Sequence, residues 1–190
     1  MKWMRSFFHL GRWSFRATAV LLIGLAIALC ADPLDNWTPV NSGTTNTVVR
    51  VEYGNGRWIA FAQKYLTGPP YIQTSALSSV DGTNWGPLDL GRAVNYLSDI
   101  RYGGGKWIAV GGKEISISSD GISWTNHAAP AGVDLDRLTY GEGKWAAIGV
   151  ASGTNGPSSI ISTIALSNDG LNWTNQFHTA EYLSSISYGV

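Results

Sequence analysis

The feature that most restricts how this chain can fold is an internal repeat. Three segments align: VVRVEYGNGRWIAFA with a later SSVDGTNW, LSDIRYGGGKWIAVGG with SSDGISWTN, and LDRLTYGEGKWAAIGV with SNDGLNWTN. A fourth copy begins at YLSSISYG, and the repeat tyrosines Tyr53, Tyr102, Tyr140 and Tyr188 stand 49, 38 and 48 residues apart. Repeats of this period build solenoids, propellers or arrays, because one unit cannot bury its own apolar face. The units occupy about 47–86, 96–125 and 135–174, with a partial one at 182–190.

Each unit reads as four short strands. In the second, LSDIRY, KWIAVGG, EISIS and SWTN are strands, and GGG and Asp-Gly are turns. The steps Gly54-Asn55-Gly56, Gly103-Gly104-Gly105 and Gly141-Glu142-Gly143 are expected to supply the positive φ that tight hairpins need. Trp58, Trp107 and Trp145 follow these glycines, and Trp85, Trp124 and Trp173 follow Asp-Gly, while Trp37 stands where an incomplete leading unit would end. Equivalent placement marks them as packing elements before ligand contacts. With no sustained helical periodicity after the leader, the fold class is all-β. Four antiparallel strands per unit is the construction of a β-propeller blade, here about three complete blades plus partial ones.

The stretches SVDGTNW, SSDGISW and SNDGLNW resemble the Asp-box repeats of sialidase-like propellers, a pattern of the form Ser-x-Asp-x-Gly-x-x-Trp, and the YGxGKWxAxG strands resemble those of bacterial exported proteins with such repeats. The likeness covers about residues 35 to 190, with one departure: here Gly follows Asp directly. It implies that Asp81-Gly82, Asp120-Gly121 and Asp169-Gly170, with Trp85, Trp124 and Trp173, are structural turns away from any catalytic face. Repetition points the same way. A catalytic carboxylate is needed once per active site, whereas an Asp heading a turn, accepting backbone N–H groups two residues on, is needed once per unit.

The resemblance also implies a test for sialidase chemistry, which uses three arginines on the substrate carboxylate, a Tyr–Glu nucleophile pair and an Asp acid/base. Arg50, Arg101 and Arg137 lie three, one and three residues before a repeat tyrosine, so strand alternation puts them on one face. The preferred expectation is ordinary pairing with Glu52, Asp99 and Asp136, because the family's N-terminal arginine motif is not recognisable and three units are too few for its enzyme domain. No catalytic residue is therefore assigned. His127 and His178 sit three and five residues beyond their tryptophans without metal-ligand spacing, so no metal or cofactor is expected. Hydrolase elbows, phosphate loops and dinucleotide fingerprints are absent.

Where the units differ bears on function. The second-strand Trp and the turn Asp are 13 positions apart in unit two, but 23 and 24 in units one and three. The added residues lie around Lys64–Tyr71 and Ala151–Ser158, in second-to-third-strand connections, which share an end with the unit-to-unit connections. Loops on a rigid scaffold commonly carry binding, so Tyr65, Tyr71, Arg92, His127 and Asn155 are the candidate binding residues.

The chain opens with a basic lead (Lys2, Arg5, Arg12, Arg16) and the apolar run Ala17–Leu29, too short to cross a bilayer comfortably and followed by Cys30-Ala31. Residues 1–31 read as a secretory signal peptide, which places residues 32–190 in a secreted, periplasmic or cell-surface setting with no transmembrane span. Ordinary cleavage is favoured over lipidation of Cys30, because Ile27 and Leu29 depart from the lipoprotein pattern. Beyond the leader stand nine basic and thirteen acidic residues and no cysteine. A net charge near −4 with no basic stripe argues against nucleic acid.

The leading expectation is an exported, non-catalytic propeller domain that binds a protein or a glycan. Its alternatives are a partial sialidase-like glycoside hydrolase domain and a structural repeat of a larger cell-surface protein. Three units and a started fourth do not close a ring unaided, so the chain is expected to be the front of a longer propeller or to self-associate through unpaired blade edges.

Overall fold

Alternating apolar positions and regularly spaced turns fold the chain into twelve strands. They are seen in a computed structural model that describes residues 38–91, 96–130, 132–152 and 160–189. The leader and Trp37 lie outside the described residues. All twelve strands belong to the compact unit Asn41–Val190. The first sheet comprises β1 (Thr47–Gly54), β2 (Arg57–Tyr65), β3 (Ile72–Ser79) and β4 (Gly86–Leu88). The second comprises β5 (Asp99–Gly103), β6 (Lys106–Gly111), β7 (Glu114–Ser118) and β8 (Thr125–Ala128). The third comprises β9 (Val133–Gly141), β10 (Lys144–Ser152), β11 (Ile160–Ser167) and β12 (Thr174–Thr179). Each sheet is an antiparallel meander whose strands pair in chain order, and the described residues contain no helix. The first strands of successive units pack together, β5 against β1 and against β9. Three such sheets are consecutive β-propeller blades.

The core lies between the sheets. Ile59, Phe61, Leu90, Leu97, Ile100 and Trp107 fill the space between the first and second, and Ile108, Val110, Ile115, Leu135, Leu138 and Trp145 that between the second and third. The strand KWIAVG serves both clusters by alternation: Trp107 and Ala109 face one way, Ile108 and Val110 the other. Its near-continuous apolar sequence follows from being covered on both faces. Each fully buried large side chain here contributes about 1.5–3 kcal/mol relative to exposure.

The hairpin glycines divide into two kinds, which corrects the sequence reading. Positive φ occurs at the second and third positions of each step: Asn55 and Gly56, Gly104 and Gly105, Glu142 and Gly143. The first glycine serves a different need. A Cβ on Gly54 would overlap the ring of Tyr102, one on Gly103 that of Tyr140, and one on Gly141 that of Tyr188. Tyr102 and Tyr140 thus lie against the glycine of the preceding unit while also packing on the tryptophan of their own, Tyr102–Trp107 with ring centroids 5.1 Å apart and Tyr140–Trp145 4.9 Å. The lock between units is an aromatic ring on bare backbone.

The fourth copy of the repeat forms no strand, yet it docks as its equivalents do. Leu183 N donates to Ser162 Oγ (3.1 Å), as Leu97 N donates to Thr74 Oγ1 (3.3 Å) two units earlier. Tyr188 N donates to Thr139 Oγ1 (3.0 Å), as Tyr102 N donates to Glu52 Oε1 (3.3 Å). The fourth strand of each unit begins after the tryptophan rather than before it, and in the first and third units the indole folds back to donate to the turn, Trp85 Nε1 to Gly82 O (3.0 Å) and Trp173 Nε1 to Gly170 O (2.9 Å).

Candidate functional site

The strand order separates two ends. First-to-second-strand hairpins and the Asp-Gly turns lie at one end of each sheet, and second-to-third-strand loops and sheet-to-sheet connections lie at the other.

At the turn end, the carboxylates are consumed by local structure. Asp120 Oδ1 accepts from Ile122 N and Ser123 N (both 2.8 Å) and from Ser118 Oγ (2.9 Å), whose oxygen in turn accepts from Gly121 N (2.8 Å). Asp81 and Asp169 repeat this pattern and gain a further bond each, from Asn84 Nδ2 and Asn172 Nδ2 to Oδ2 (2.7 Å). Ser123 replaces that asparagine in the second unit, and Trp124 Nε1 has no partner there. Hydrogen bonds to the ionised form hold all three carboxyls low: Asp120 falls to about 2, and Asp81 and Asp169, with their extra amide, fall further. An acid held that far down donates no proton near neutrality.

This makes a pH prediction with a definite sign. A folded-state pKa below the unfolded value near 3.8 gives stability that is present above that value and is lost as pH falls through the folded one. Replacing Asp81, Asp120 and Asp169 together by Asn is therefore expected to lower the urea midpoint at pH 7 and to flatten its decline between pH 4 and pH 2. A variant whose midpoint falls as steeply as the parent's over that interval would show that the turns are not the acid-sensitive element. Comparing the two proteins cancels Glu52 and Asp99, whose burial raises their pKa values and so favours folding at low pH instead.

On the first strands, residues three and one before the repeat tyrosine form a polar ladder: Arg50 and Glu52 on β1, Asp99 and Arg101 on β5, Arg137 and Thr139 on β9. Asp99 is its centre, with a fully buried side chain. Its Oδ1 lies 2.8 Å from Arg101 Nη1 and 3.3 Å from Arg50 Nε and accepts from Ile100 N, and its Oδ2 accepts from Leu138 N (2.9 Å). One carboxylate thus ties three units. Burial outweighs these partners and pushes Asp99 above the ordinary carboxylate range, and burial likewise raises Glu52. Arg137 pairs with Asp136 at 2.7 Å. The ion pairing expected for Arg50, Arg101 and Arg137 is what the structure contains.

At the loop end, Tyr65 closes β2 with its side chain exposed (69%). Tyr71 is also exposed, in a loop pinned by Leu66 N to Tyr71 O (2.7 Å) and Tyr71 N to Gly68 O (2.8 Å); its φ of 62° turns the side chain out of the sheet's alternation. Two tyrosines that sequence reading passed over join them, Tyr96 and Tyr182, which occupy the same repeat position, directly before Leu97 and Leu183. Gln63, on β2 two residues from Tyr65, donates Nε2 to Leu97 O (3.1 Å), which brings Tyr96 beside the end of β2. Ser98 Oγ reaches Leu135 O (3.5 Å), bringing the same segment to the start of β9. Burial raises the Tyr96 phenol, Asp136 adds to the rise, Arg137 opposes it, and Tyr182 and Tyr65 contribute further. The two hydrogen bonds of this segment thus bring Tyr96 beside the β2 end that carries Tyr65 and beside the stretch of β9 that carries the Asp136–Arg137 pair.

The other candidates fall elsewhere. His127 sits on the outermost strand β8, its Nε2 3.2 Å from Thr125 Oγ1, three strands away from the ladder. Arg92 and Asn155 lie outside the described residues. Among the described residues no group of three His, Cys, Asp or Glu side chains could hold a metal ion, and no helix is long and apolar enough to cross a membrane.

No protein-family model matches the chain, and no curated protein matches it in sequence. Solved structures with a similar arrangement include glycoside hydrolases. The GH32 beta-fructofuranosidase of Bombyx mori superposes with a TM-score of 0.47 at 15% identity, over 68% of this chain and 34% of that one. Fructan 1-exohydrolase IIa from Cichorium intybus gives 0.42 at 15%, over 74% and 33%, and the catalytic domain of the Coprinopsis cinerea GH62 alpha-L-arabinofuranosidase gives 0.41 at 14%, over 68% and 49%. The chain spans about a third of the length of the first two. Its three meandering sheets, joined through their first strands, make it an array of β-propeller blades with a polar ladder inside and tyrosines at one end.

Proposed function

We propose that this chain is an exported carbohydrate-binding propeller domain whose ligand lies at the loop end, against Tyr65, Tyr96 and Tyr182. The observation that carries this reading is that the Gln63–Leu97 and Ser98–Leu135 hydrogen bonds bring the exposed Tyr65 and Tyr96 to the strand bearing the Asp136–Arg137 pair. The C–H face of a sugar ring is apolar and slightly positive, and it stacks on the negative face of an aromatic ring. Sugar hydroxyls both donate and accept, and a carboxylate beside a guanidinium offers one partner of each kind. Residues 1–31 support export.

Hydrolysis is the second reading, and a separate observation favours it. Glu52 and Asp99 both stand above the ordinary carboxylate range on neighbouring first strands, and raised acids are what glycosidic-bond cleavage needs. Binding is preferred because Asp99 already accepts from Arg101 and two backbone N–H groups, with the Arg50 guanidinium 3.3 Å away.

A glycan array tests the binding reading. Tyr65→Ala and Tyr96→Ala are each expected to weaken retained glycans roughly two- to tenfold, the range of a lost aromatic contact of about 0.5–1.5 kcal/mol, with the melting temperature unchanged in Tyr65→Ala, whose ring is 69% exposed. Retention unaffected by either change sinks the tyrosine site. Turnover of aryl glycosides that disappears in Glu52→Gln would replace binding by hydrolysis.

A further inference from the structure

The charge arrangement of the site carries the reading one step further, to the class of sugar. All three ladder arginines are already engaged, and in the same way. Arg50 Nη1 donates to Val49 O (3.0 Å), Arg101 Nη1 to Ile100 O (2.8 Å) and Arg137 Nη1 to Asp136 O (2.9 Å), so each guanidinium is folded back onto the carbonyl of the residue before it. Each also has a carboxylate. Arg101 and Arg50 share Asp99 at 2.8 and 3.3 Å, Arg101 stands 3.7 Å from Glu52, and Arg137 stands 2.7 Å from Asp136. Three positive side chains face three carboxyl side chains.

An incoming sugar carboxylate would have to displace one of these internal carboxylates, and the displaced group would remain nearby as a like charge. Asp99 cannot withdraw, because its side chain is fully buried and its other oxygen accepts from Leu138 N. Asp136 directly follows Leu135, whose carbonyl Ser98 reaches two residues after Tyr96, so a second anion arriving at this segment would be repelled. An uncharged hydroxyl needs no displacement: it can donate to a carboxylate oxygen already present and accept from a guanidinium N–H.

We propose that the loop-end site takes uncharged saccharides and excludes anionic ones such as sialosides and uronides, because every ladder arginine is neutralised from within the protein. This rests on the carbohydrate-binding reading and departs from what an arginine clamp of the sialidase kind would select. The saccharide hydroxyls meet Asp136 and Arg137 while a ring face lies on the tyrosines.

The full chain, probed with fructo-, xylo- and malto-oligosaccharides as the neutral arm and with sialyllactose and oligogalacturonate as the anionic arm, tests this at 0.05 and 0.5 M NaCl. Binding confined to the neutral arm, changing less than twofold between the two salt concentrations, is the expected result. Asp136→Asn frees Arg137, and it is expected to weaken the neutral ligand at least fivefold and to bring in oligogalacturonate binding that falls at least fivefold at the higher salt. Retention of the anionic arm by the parent protein overturns the neutral-sugar proposal and leaves sugar binding standing. Retention of neither arm overturns both.

Discussion

Gly103→Ala is expected to destabilise the protein by about 3 kcal/mol, a large part of the 5–15 kcal/mol that ordinarily holds a domain together. The reason is close approach: an added methyl would enter the half-buried ring of Tyr140, which is backed by Trp145. Tyr140 packs on Trp145 with centroids 4.9 Å apart, and Trp145 is buried in the core between the second and third sheets. Two neighbouring changes separate this cause from backbone conformation. Gly105 has a φ of 76° with nothing near its Cβ position, so Gly105→Ala is expected to cost only about 1–2 kcal/mol of conformational strain. Gly141→Ala meets Tyr188, which is 43% exposed and can lift away, so its cost should fall below that of Gly103→Ala. The decisive measurement is a double-mutant cycle with Tyr140→Ala, read by urea unfolding. Gly103→Ala should become nearly neutral once the ring is gone, and an unchanged penalty would exclude the ring as its cause.

The same pair shows where sequence reading stops. The period of the repeat, the strand alternation and the turn residues were legible because each is local: two residues apart along a strand, or three across a turn. Gly103 reads as a turn glycine by that logic, and only the tyrosine of the next unit, brought onto it by packing, makes it something else. The pairing of Arg50, Arg101 and Arg137 with Glu52, Asp99 and Asp136 was legible because the opposite charges stand one to four residues before the repeat tyrosines, where an alignment shows them. The central place of Asp99 was not. A signal existed, because Asp99 occupies the position that holds Arg50 and Arg137 in the neighbouring units, and an acid at a position otherwise basic suggests a partner for its neighbours. Tyr96 and Tyr182 carried a signal too, the shared Tyr-Leu-Ser that opens two units. Loop length directed attention to Tyr65 and Tyr71, whereas a tyrosine just ahead of a strand reads as packing until its exposure is known.

Asp99→Ala should be the other severe change, costing about 2–4 kcal/mol, because it removes the acceptor common to three units. Leu138 N would be left buried without its bond, and Arg50 and Arg101 would face each other without the charge between them. The arginine side chains are each 31% exposed, so water recovers part of the loss on their side; the amide has no such recourse. Asp99→Asn separates the two contributions. Its amide oxygen can still accept from Leu138 N, but it carries no charge for the guanidiniums, so it should recover about half of the lost stability. pH gives an independent reading. Burial raises the folded pKa of Asp99 above the unfolded value near 3.8, so the stability this shift contributes is present below 3.8 and is lost as pH rises through the folded pKa, and the gap between parent and Asp99→Asn should narrow with rising pH. A gap that instead widens as pH rises from 2 to 5, and is flat above, would mean that the ion pairs hold the folded pKa below 3.8 and dominate at this junction. In that event the arginines would be bound to their carboxylates more strongly than burial opposes, and the exclusion of anionic sugars from the ladder would be stronger still.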